Sequence, residues 1–357
     1  MATISVPPTG VRRVRSVEEA DVAGKRVLVR ADLNVPLAGG TVADDSRIRA
    51  ALPTLQYLHA HGAAAIDVCS HLGRPDGPDP RYAMAPVADR LRQLFDAPVS
   101  VLENTRFDPG ETSNDPAFAE RLADGHDLFV EDAFGSLHRA HASTVGVAAL
   151  LPTYAGLLVE RELEHLGRLL GEVVRPFVVV VGGAKVDDKL PLIEHLGRRA
   201  DAVLAGGKVA ERLLRVPTSL PVDLPVDVVA APTFAADASA RILPLAEVPG
   251  RWSILDIGPR AIHQFSAAIE DARTIFWNGP MGVFEWPRFA NGTLAIGVAI
   301  AHSEAYSVVG GADSLRALGQ TGLASCVSWA STGGGASLAL LAGDELPGLS
   351  VIPPPAL

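Results

Sequence analysis

The chain is short of several features that would each mark a function class. Two cysteines, Cys69 and Cys326, occur in 357 residues, too few for a disulfide framework and unsuited to a zinc cage. A reducing compartment is their natural setting. Positive charge is in deficit: 31 Lys and Arg stand against 41 Asp and Glu, for a formal net charge of −10. No global basic field therefore exists to draw in nucleic acid or an acidic membrane. No apolar run approaches the roughly 20 residues that span a bilayer. The stretch from Met1 to Pro8 lacks the basic-then-apolar layout of a signal peptide, so a cytoplasmic protein is expected. Neither Gly-x-x-x-x-Gly-Lys-Ser/Thr nor Gly-x-Gly-x-x-Gly occurs in a phosphate-binding context. Low-complexity linkers and convincing internal repeats are also missing.

What the chain does have is a set of hydrophobic strands that end in small residues. Near the C-terminus, Trp329-Ala330-Ser331-Thr332 runs into Gly333-Gly334-Gly335, and Leu338 to Leu341 reads as a helix beyond it. A strand, a glycine-rich turn and a helix N-terminus aim unpaired N–H groups at one point, which the helix dipole makes attractive to phosphate. Lacking Cβ atoms, such a backbone can approach an anion closely. Taken alone, three glycines read as a flexible turn. Other turns of the same kind change the balance. Residues 177–181 run into Gly182-Gly183-Ala184-Lys185, with a further lysine at Lys189. Residues 203–205 run into Gly206-Gly207, and 306–309 into Gly310-Gly311-Ala312-Asp313-Ser314. Strand ends are where open α/β sheets bind ligands. Lysine suits phosphate oxygens and aspartate a magnesium ion, so a phosphate-handling site is the leading expectation for this half.

Apolar, β-branched runs alternate with helix-period segments throughout. Strands are expected at 26–31, 64–69, 99–102 and 128–130, then at 177–181, 202–205, 274–277, 306–309 and 327–329. Helices are expected at 47–61, 85–95, 116–123 and 190–199. The alternation predicts an α/β fold of parallel sheets covered by helices on both faces. A length of 357 residues with 48% hydrophobic content favours two domains with ample cores. Between the halves, residues 157–170 carry apolar side chains at helical spacing, bounded by Pro152 and Pro176. They fit a rigid connector or an ordinary surface helix. The expected layout is an N-terminal domain at 1–155, a connecting helix at 156–171 and a C-terminal domain at 172–340. A tail at 341–357 is expected to return toward the N-terminal domain, with Ile352-Pro353-Pro354-Pro355 as an extended end.

The first half has few glycine turns but carries arginine and histidine at strand ends. Asp32 and Asn34 follow the first strand. Asp44-Asp45-Ser46-Arg47 looks like a helix N-cap with a cation in the first turn. The dipole disfavours a cation there, so Arg47 is expected to have an anionic partner. Ser70-His71-Leu72-Gly73-Arg74-Pro75 and Glu103-Asn104-Thr105-Arg106-Phe107 follow two more strands. Glu131-Asp132-Ala133-Phe134-Gly135 leads into His138-Arg139-Ala140-His141. Guanidinium forks bind carboxylate and phosphate bidentately, which suits a small, multiply charged anion. Singly, each arginine reads as a surface salt bridge, and His138 and His141 read as caps or satisfied core histidines. No third ligand stands at a convincing spacing for zinc.

Taken in order, these segments closely resemble the phosphoglycerate kinase family. The matching stretches are 29–36, 70–75, 103–107, 132–135, 138–143 and 182–186. They continue with Trp277-Asn278-Gly279-Pro280-Met281-Gly282-Val283-Phe284-Glu285 and the glycine triplet, spanning about Arg26 to Gly348. The resemblance implies two doubly wound, Rossmann-like α/β domains joined by a helix, with the acid on the N-terminal one and the nucleotide on the C-terminal one. It implies that Asp32, Asn34, Arg47, His71, Arg74, Arg106 and Arg139 hold 3-phosphoglycerate. Likewise Gly183, Ala184, Lys185, Lys189, Gly206, Gly207, Asn278, Gly311, Ala312 and Ser314 would serve the nucleotide, Glu285 its ribose and Asp313 the Mg²⁺. Arg47, Lys185 and the amides of Gly333, Gly334 and Gly335 would act on the transferring phosphoryl group. The implied reaction is reversible, ATP-dependent phosphorylation of the 3-phosphoglycerate carboxylate to 1,3-bisphosphoglycerate. It would proceed by direct in-line transfer, with domain closure excluding water. The implied setting is glycolysis, with small-molecule substrates only, no nucleic acid or membrane partner, and a monomer.

Some positions depart from the family pattern. After Gly206-Gly207, where the family continues with an apolar residue and an aromatic helix, this chain has Lys208-Val209-Ala210-Glu211-Arg212. Ala205 and Ala312 stand at glycine positions, and Glu131 stands at an asparagine position. The chain passes from Leu214 to Leu224 through Pro217 and Pro221, where the family carries an additional helical segment beside the adenine. An open base site would give weak nucleotide affinity and poor discrimination between adenine and guanine. Two other functions are compatible with these residues. One is a specialised paralogue with altered nucleotide preference or a related phospho- or phosphonocarboxylate substrate. The other is a non-catalytic phosphoglycerate-binding protein, against which Lys185 and Asp313 argue, since binding the acid alone needs neither.

Overall fold

The computed structural model describes residues 10–215 and 219–356. Two compact units are present: Val11–Glu164 with the segment from Glu345 onward, and His165–Asp344 with Gly10. The division falls inside the helix Leu157–Leu170, rather than at the helix ends.

In the first unit a five-stranded parallel sheet has the order Ser100–Val101, Ala65–Cys69, Arg26–Ala31, Leu128–Asp132, Thr153–Ala155. Arg26–Ala31 is the central strand, with Arg30 opposite Cys69 on one side and Glu131 on the other. Alternate residues face opposite layers. Val27, Val29 and Ala31 join Ile48 and Leu55 of the helix Ser46–Ala60 and Leu91 of the helix Ala85–Leu94. Leu28 packs instead with Phe118, Leu122 and Phe129. That two-sided burial is why the strand reads as a continuous apolar run. The strand expected at 99–102 shrinks to Ser100–Val101 at the sheet edge, just after Pro98, which has no N–H to donate. The strand expected at 128–130 extends to Asp132, because Glu131 and Asp132 are both fully buried. Asp132 Oδ1 then accepts the N–H groups of Leu158 (2.9 Å) and Val159 (3.4 Å), capping the start of Leu157–Leu170. The C-terminal segment is tied into this unit by Arg12, which donates to the carbonyls of Ser350 and Ile352.

In the second unit a six-stranded parallel sheet has the order Val222–Asp223, Ala202–Ala205, Phe177–Val181, Thr274–Asn278, Tyr306–Gly310, Trp329–Ser331. Phe177–Val181 and Thr274–Asn278 are buried along their whole length. The last strand lies two residues later than expected, since Ala324–Cys326 forms a 3-10 turn and pairing begins with Val308 opposite Trp329. The helix after the glycine triplet starts earlier than Leu338, running Gly335–Ala342. A separate antiparallel sheet, ordered Arg241–Pro244, Asp227–Ala231, Ser253–Ile257, has no counterpart in the sequence-based expectation. Its strands are short and their apolar runs contain Asp227 and Asp256. Both aspartates are buried acceptors at helix starts: Asp227 takes the N–H of Ala261 (2.8 Å) and Asp256 that of Gly292 (2.7 Å). The helix Gly207–Leu214 leads into the edge strand Val222–Asp223. Val216, Pro217 and Thr218 lie outside the described residues.

Candidate active site

In a parallel sheet the carboxyl ends of the strands share one edge, so the loops after them meet. In the first unit those loops carry Asp32 and Asn34, His71 and Arg74, Arg106, and Arg139. Arg74, Arg106, Arg139 and His141 line one cavity of about 760 Å³. The cations share one field. Burial first, then Arg139 and Arg30, pull the Arg106 guanidinium down to about 10. Burial and Arg74 depress Arg139 likewise. His71 is held well below its usual value by burial, then by Arg30, Arg106, Arg139 and Arg47. Arg106 Nη1 donates to the Gly73 carbonyl, while its buried Nε finds no acceptor among the described residues. Cations crowded this way cost energy unless an anion joins them.

The remaining acid-site candidates hold this cluster in shape. Arg47, in the first turn of Ser46–Ala60, has the anionic partner its position demands, pairing with Asp32. Asn34 Oδ1 accepts the Gly73 N–H at 2.8 Å. Gly73 sits at φ +63, and a Cβ there would lie 2.3 Å from the Tyr82 ring, so this turn admits no larger residue. Arg139 Nε donates to His138 Nε2 at 3.0 Å. The sequence reading did not single out Arg30, which is fully buried. Its Nη1 donates to the Ala31 carbonyl (2.6 Å), its Nε to Ser143 Oγ (2.8 Å), and its Nη2 lies 3.0 Å from His71 Nδ1. A guanidinium only donates, so Nδ1 accepts and the His71 proton resides on Nε2. The available signal was an arginine inside an apolar strand, a placement that requires partners.

In the second unit the strand-end turns pack backbone against backbone. The Gly182 N–H donates to the Asn278 carbonyl (3.0 Å), that of Gly206 to Val181 (2.9 Å), and that of Gly207 to Met281 (3.1 Å). Asn278 Nδ2 donates to the Gly310 carbonyl (2.9 Å), and the Gly279 N–H to Ser314 Oγ (2.6 Å). A Cβ on Gly182 would meet the Pro280 carbonyl oxygen at 2.1 Å, and one on Gly279, at φ +94, would meet Lys189 Nζ at 2.1 Å. Lys189 is buried, with Nζ donating to the Gly182 carbonyl and to that of Asn278 (3.3 Å). As placed it braces the turns rather than presenting a free ammonium. Burial draws it down to about 8, with Asp313 and Asp188 opposing and Lys185 assisting.

Lys185, beyond Gly183 and Ala184, is exposed. Gly311 precedes the helix Ala312–Gln320, which carries Asp313 in its first turn. Gly334 precedes Gly335–Ala342 with no side-chain cap. The Gly333 N–H expected to face the phosphoryl group donates instead to Ser331 Oγ (3.3 Å), and that of Ala336 to the Gly333 carbonyl (3.0 Å). The amides of Gly334 and Gly335 are therefore the ones suited to an anion. Arg316 is a residue with no sequence signal: its guanidinium reaches Glu285 at 2.7 Å and Asp313 at 3.3 Å. Among the described residues no group of three or more His, Cys, Asp or Glu could hold a metal. Asp313 alone nevertheless suits Mg²⁺ carried by nucleotide phosphates, since that ion takes one or two carboxylates and keeps several waters. No described helix is long and apolar enough to cross a membrane.

The family model for phosphoglycerate kinase matches residues 17–102, 95–223 and 218–344. The second junction, at 218–223, falls inside the stretch from Leu214 to Leu224. A phosphoglycerate kinase of Rubrobacter xylanophilus is 49% identical over 385 aligned positions, covering 95% of this chain and 98% of the relative. The enzyme of Thermus thermophilus is 46% identical, covering 95% of this chain and all of its own. Among solved structures, phosphoglycerate kinase from Coxiella burnetii aligns with a TM-score of 0.84 at 36% identity, covering 95% of this chain and 98% of that one. That from Pyrococcus horikoshii aligns with a TM-score of 0.82 at 31% identity over the same shares. With relatives of this identity and coverage, and a family model matched along most of its length, the chain belongs to the phosphoglycerate kinase family.

Proposed function

We infer that the protein is a phosphoglycerate kinase that moves a phosphoryl group reversibly between 1,3-bisphosphoglycerate and ADP, with 3-phosphoglycerate and ATP as the other pair. The observation that carries the substrate assignment is the convergence of Arg74, Arg106 and Arg139, from three different strand-end loops, on one cavity. A small acid with a phosphate at one end and a carboxylate at the other matches such a set of guanidinium forks.

In the forward step a carboxylate oxygen of 3-phosphoglycerate bonds to the terminal phosphorus of ATP while the bond to the ADP oxygen breaks. The protein contributes positioning and charge stabilisation rather than a nucleophile. Arg47, oriented by Asp32, and exposed Lys185 would face the charge spread over the phosphoryl oxygens, with the amides of Gly334 and Gly335. His71 would donate from Nε2 while remaining neutral. Magnesium, when bound with the nucleotide, would neutralise phosphate charge, and Asp313 is the residue to hold it. Arg316 would have to release Asp313 or share it.

On the base side, the shortened stretch from Leu214 to Leu224 supports a base site that is not enclosed. The reading carries with it a glycolytic role and a monomer, and the unpaired Cys69 and Cys326 fit a reducing, cytoplasmic setting. A coupled assay with 3-phosphoglycerate across ATP, GTP and other nucleotides tests the reading. ATP-dependent turnover is expected, and none with any nucleotide would overturn it.

A further inference from the structure

We propose that Glu111 is a positioning residue of the phosphoglycerate site, acting through Ser143 and Arg30 on His71. The proposal rests on the acid-site reading above. Glu111 lies on the short helix Gly110–Ser113, is fully buried, and does not line the cavity. Its Oε2 accepts the Ser143 N–H at 3.0 Å, and its Oε1 accepts the hydroxyls of Ser143 (2.7 Å) and Thr105 (3.2 Å). His141 Nδ1 stands 3.6 Å from Oε1. Burial opposes charge at this position, but His141, Arg30 and Ser143 hold the carboxyl down at about 2.

The direction of each hydrogen bond in this chain is forced. A carboxylate only accepts, so the Ser143 hydroxyl proton is committed to Glu111. The remaining lone pairs of Ser143 Oγ take the Arg30 Nε–H at 2.8 Å, which fixes the plane of the guanidinium. That plane sets Nη2 against His71 Nδ1 at 3.0 Å, leaving Nε2 as the imidazole donor. The same carboxylate pins Thr105, the neighbour of Arg106, to Ser143, which follows His141 and Ala142. One buried group thus joins two of the loops that supply cations to the cavity and reaches a third through Arg30.

Glu111→Gln and Ser143→Ala test this through steady-state kinetics, ¹⁵N resonances of the His71 ring and thermal melting. Glutamine keeps the shape but turns one acceptor into a donor, so it cannot satisfy both Ser143 groups and Thr105. Both variants should raise the KM for 3-phosphoglycerate about tenfold or more while leaving the KM for ATP within about twofold. The wild-type His71 ring should show a single neutral tautomer protonated on Nε2, and both variants should show a mixture. Unchanged KM values and an unchanged His71 spectrum, with only a lower melting temperature, would mean a merely structural role and overturn the proposal. If Glu111→Gln does not fold, Ser143→Ala decides alone, since it keeps the Ser143 N–H bond to Glu111. Wild type that fails to turn over 3-phosphoglycerate would overturn the functional reading itself. Active wild type with indifferent variants would overturn only the role of Glu111.

Discussion

The strand ends in the unit built on Arg26–Ala31 carry arginines, whereas those in the unit built on Phe177–Val181 carry glycines, and the two arrangements fail differently when altered. The first is an electrostatic construction. Burial and neighbouring cations depress Arg106 and Arg139 around a cavity of about 760 Å³, and Gly73 is a position there where backbone geometry is decisive. The second is steric. Its turns close by amide-to-carbonyl bonds between Gly182 and Asn278 and between Gly207 and Met281, with the buried Lys189 bracing them from within. Charge built on side chains survives small shifts of backbone; charge handled by backbone amides does not. Substitutions should accordingly separate by substrate.

The sharpest break would come from Lys185→Ala, the exposed cation beyond the Gly182-Gly183 turn. Turnover should fall by about 10²–10³, with affinity for 3-phosphoglycerate nearly unchanged. Single-turnover rates beside acid-binding titrations check both halves, and a variant with wild-type turnover would remove Lys185 from the mechanism.

Arg139→Ala probes the other side. Loss of one guanidinium in a shared cavity should raise the KM for 3-phosphoglycerate by about 10- to 100-fold, and the nucleotide KM far less. Equal effects on both substrates would break the division of labour between the two units.

A smaller contrast is expected between bases. Where the base is not enclosed, the site cannot strongly reject another one. Calorimetric titration with Mg²⁺ should find ADP and GDP within about tenfold of each other. Tight ADP binding with strong rejection of GDP would show that residues between Leu214 and Leu224 close over the base.

A contrast in stability rather than in turnover concerns Glu131, which departs from the asparagine of the family pattern. Burial pushes its carboxyl from 4.5 up to about 8, against the pull of Arg30. A folded value above the unfolded one means that its contribution is complete below about 4.5 and is lost as pH rises to about 8. Glu131→Gln abolishes that loss. Its melting temperature relative to wild type should climb between pH 5 and 8 by roughly 2–4 °C per kcal/mol recovered. A difference that stays constant across this window would show that Glu131 is ionised in the folded protein.

Much of this contrast was legible in the chain because it is local. Val178 to Val181 followed by Gly182-Gly183, or Cys69 followed by His71 and Arg74, places a strand and its functional turn within a few residues. Arg47 in a helix first turn likewise announced an anionic partner, which is Asp32. The antiparallel sheet was not legible, because Asp227 and Asp256 interrupt the apolar runs of its short strands. Nor was the inward turn of Lys189, which a strand–Gly–Gly–lysine pattern presents as a phosphate ligand.

By itself the sequence determined the alternation of strands and helices, the two chemical styles of strand end and the family to which they belong, since each depends on neighbours along the chain. Tertiary structure alone decided which groups are spent on one another. Arg30 meets Ser143 across 113 positions, and Lys189 meets the Asn278 carbonyl across 89. The physical reason is desolvation. A buried charge must find its partners wherever the fold brings them, and no periodicity along the chain records which distant residue that will be.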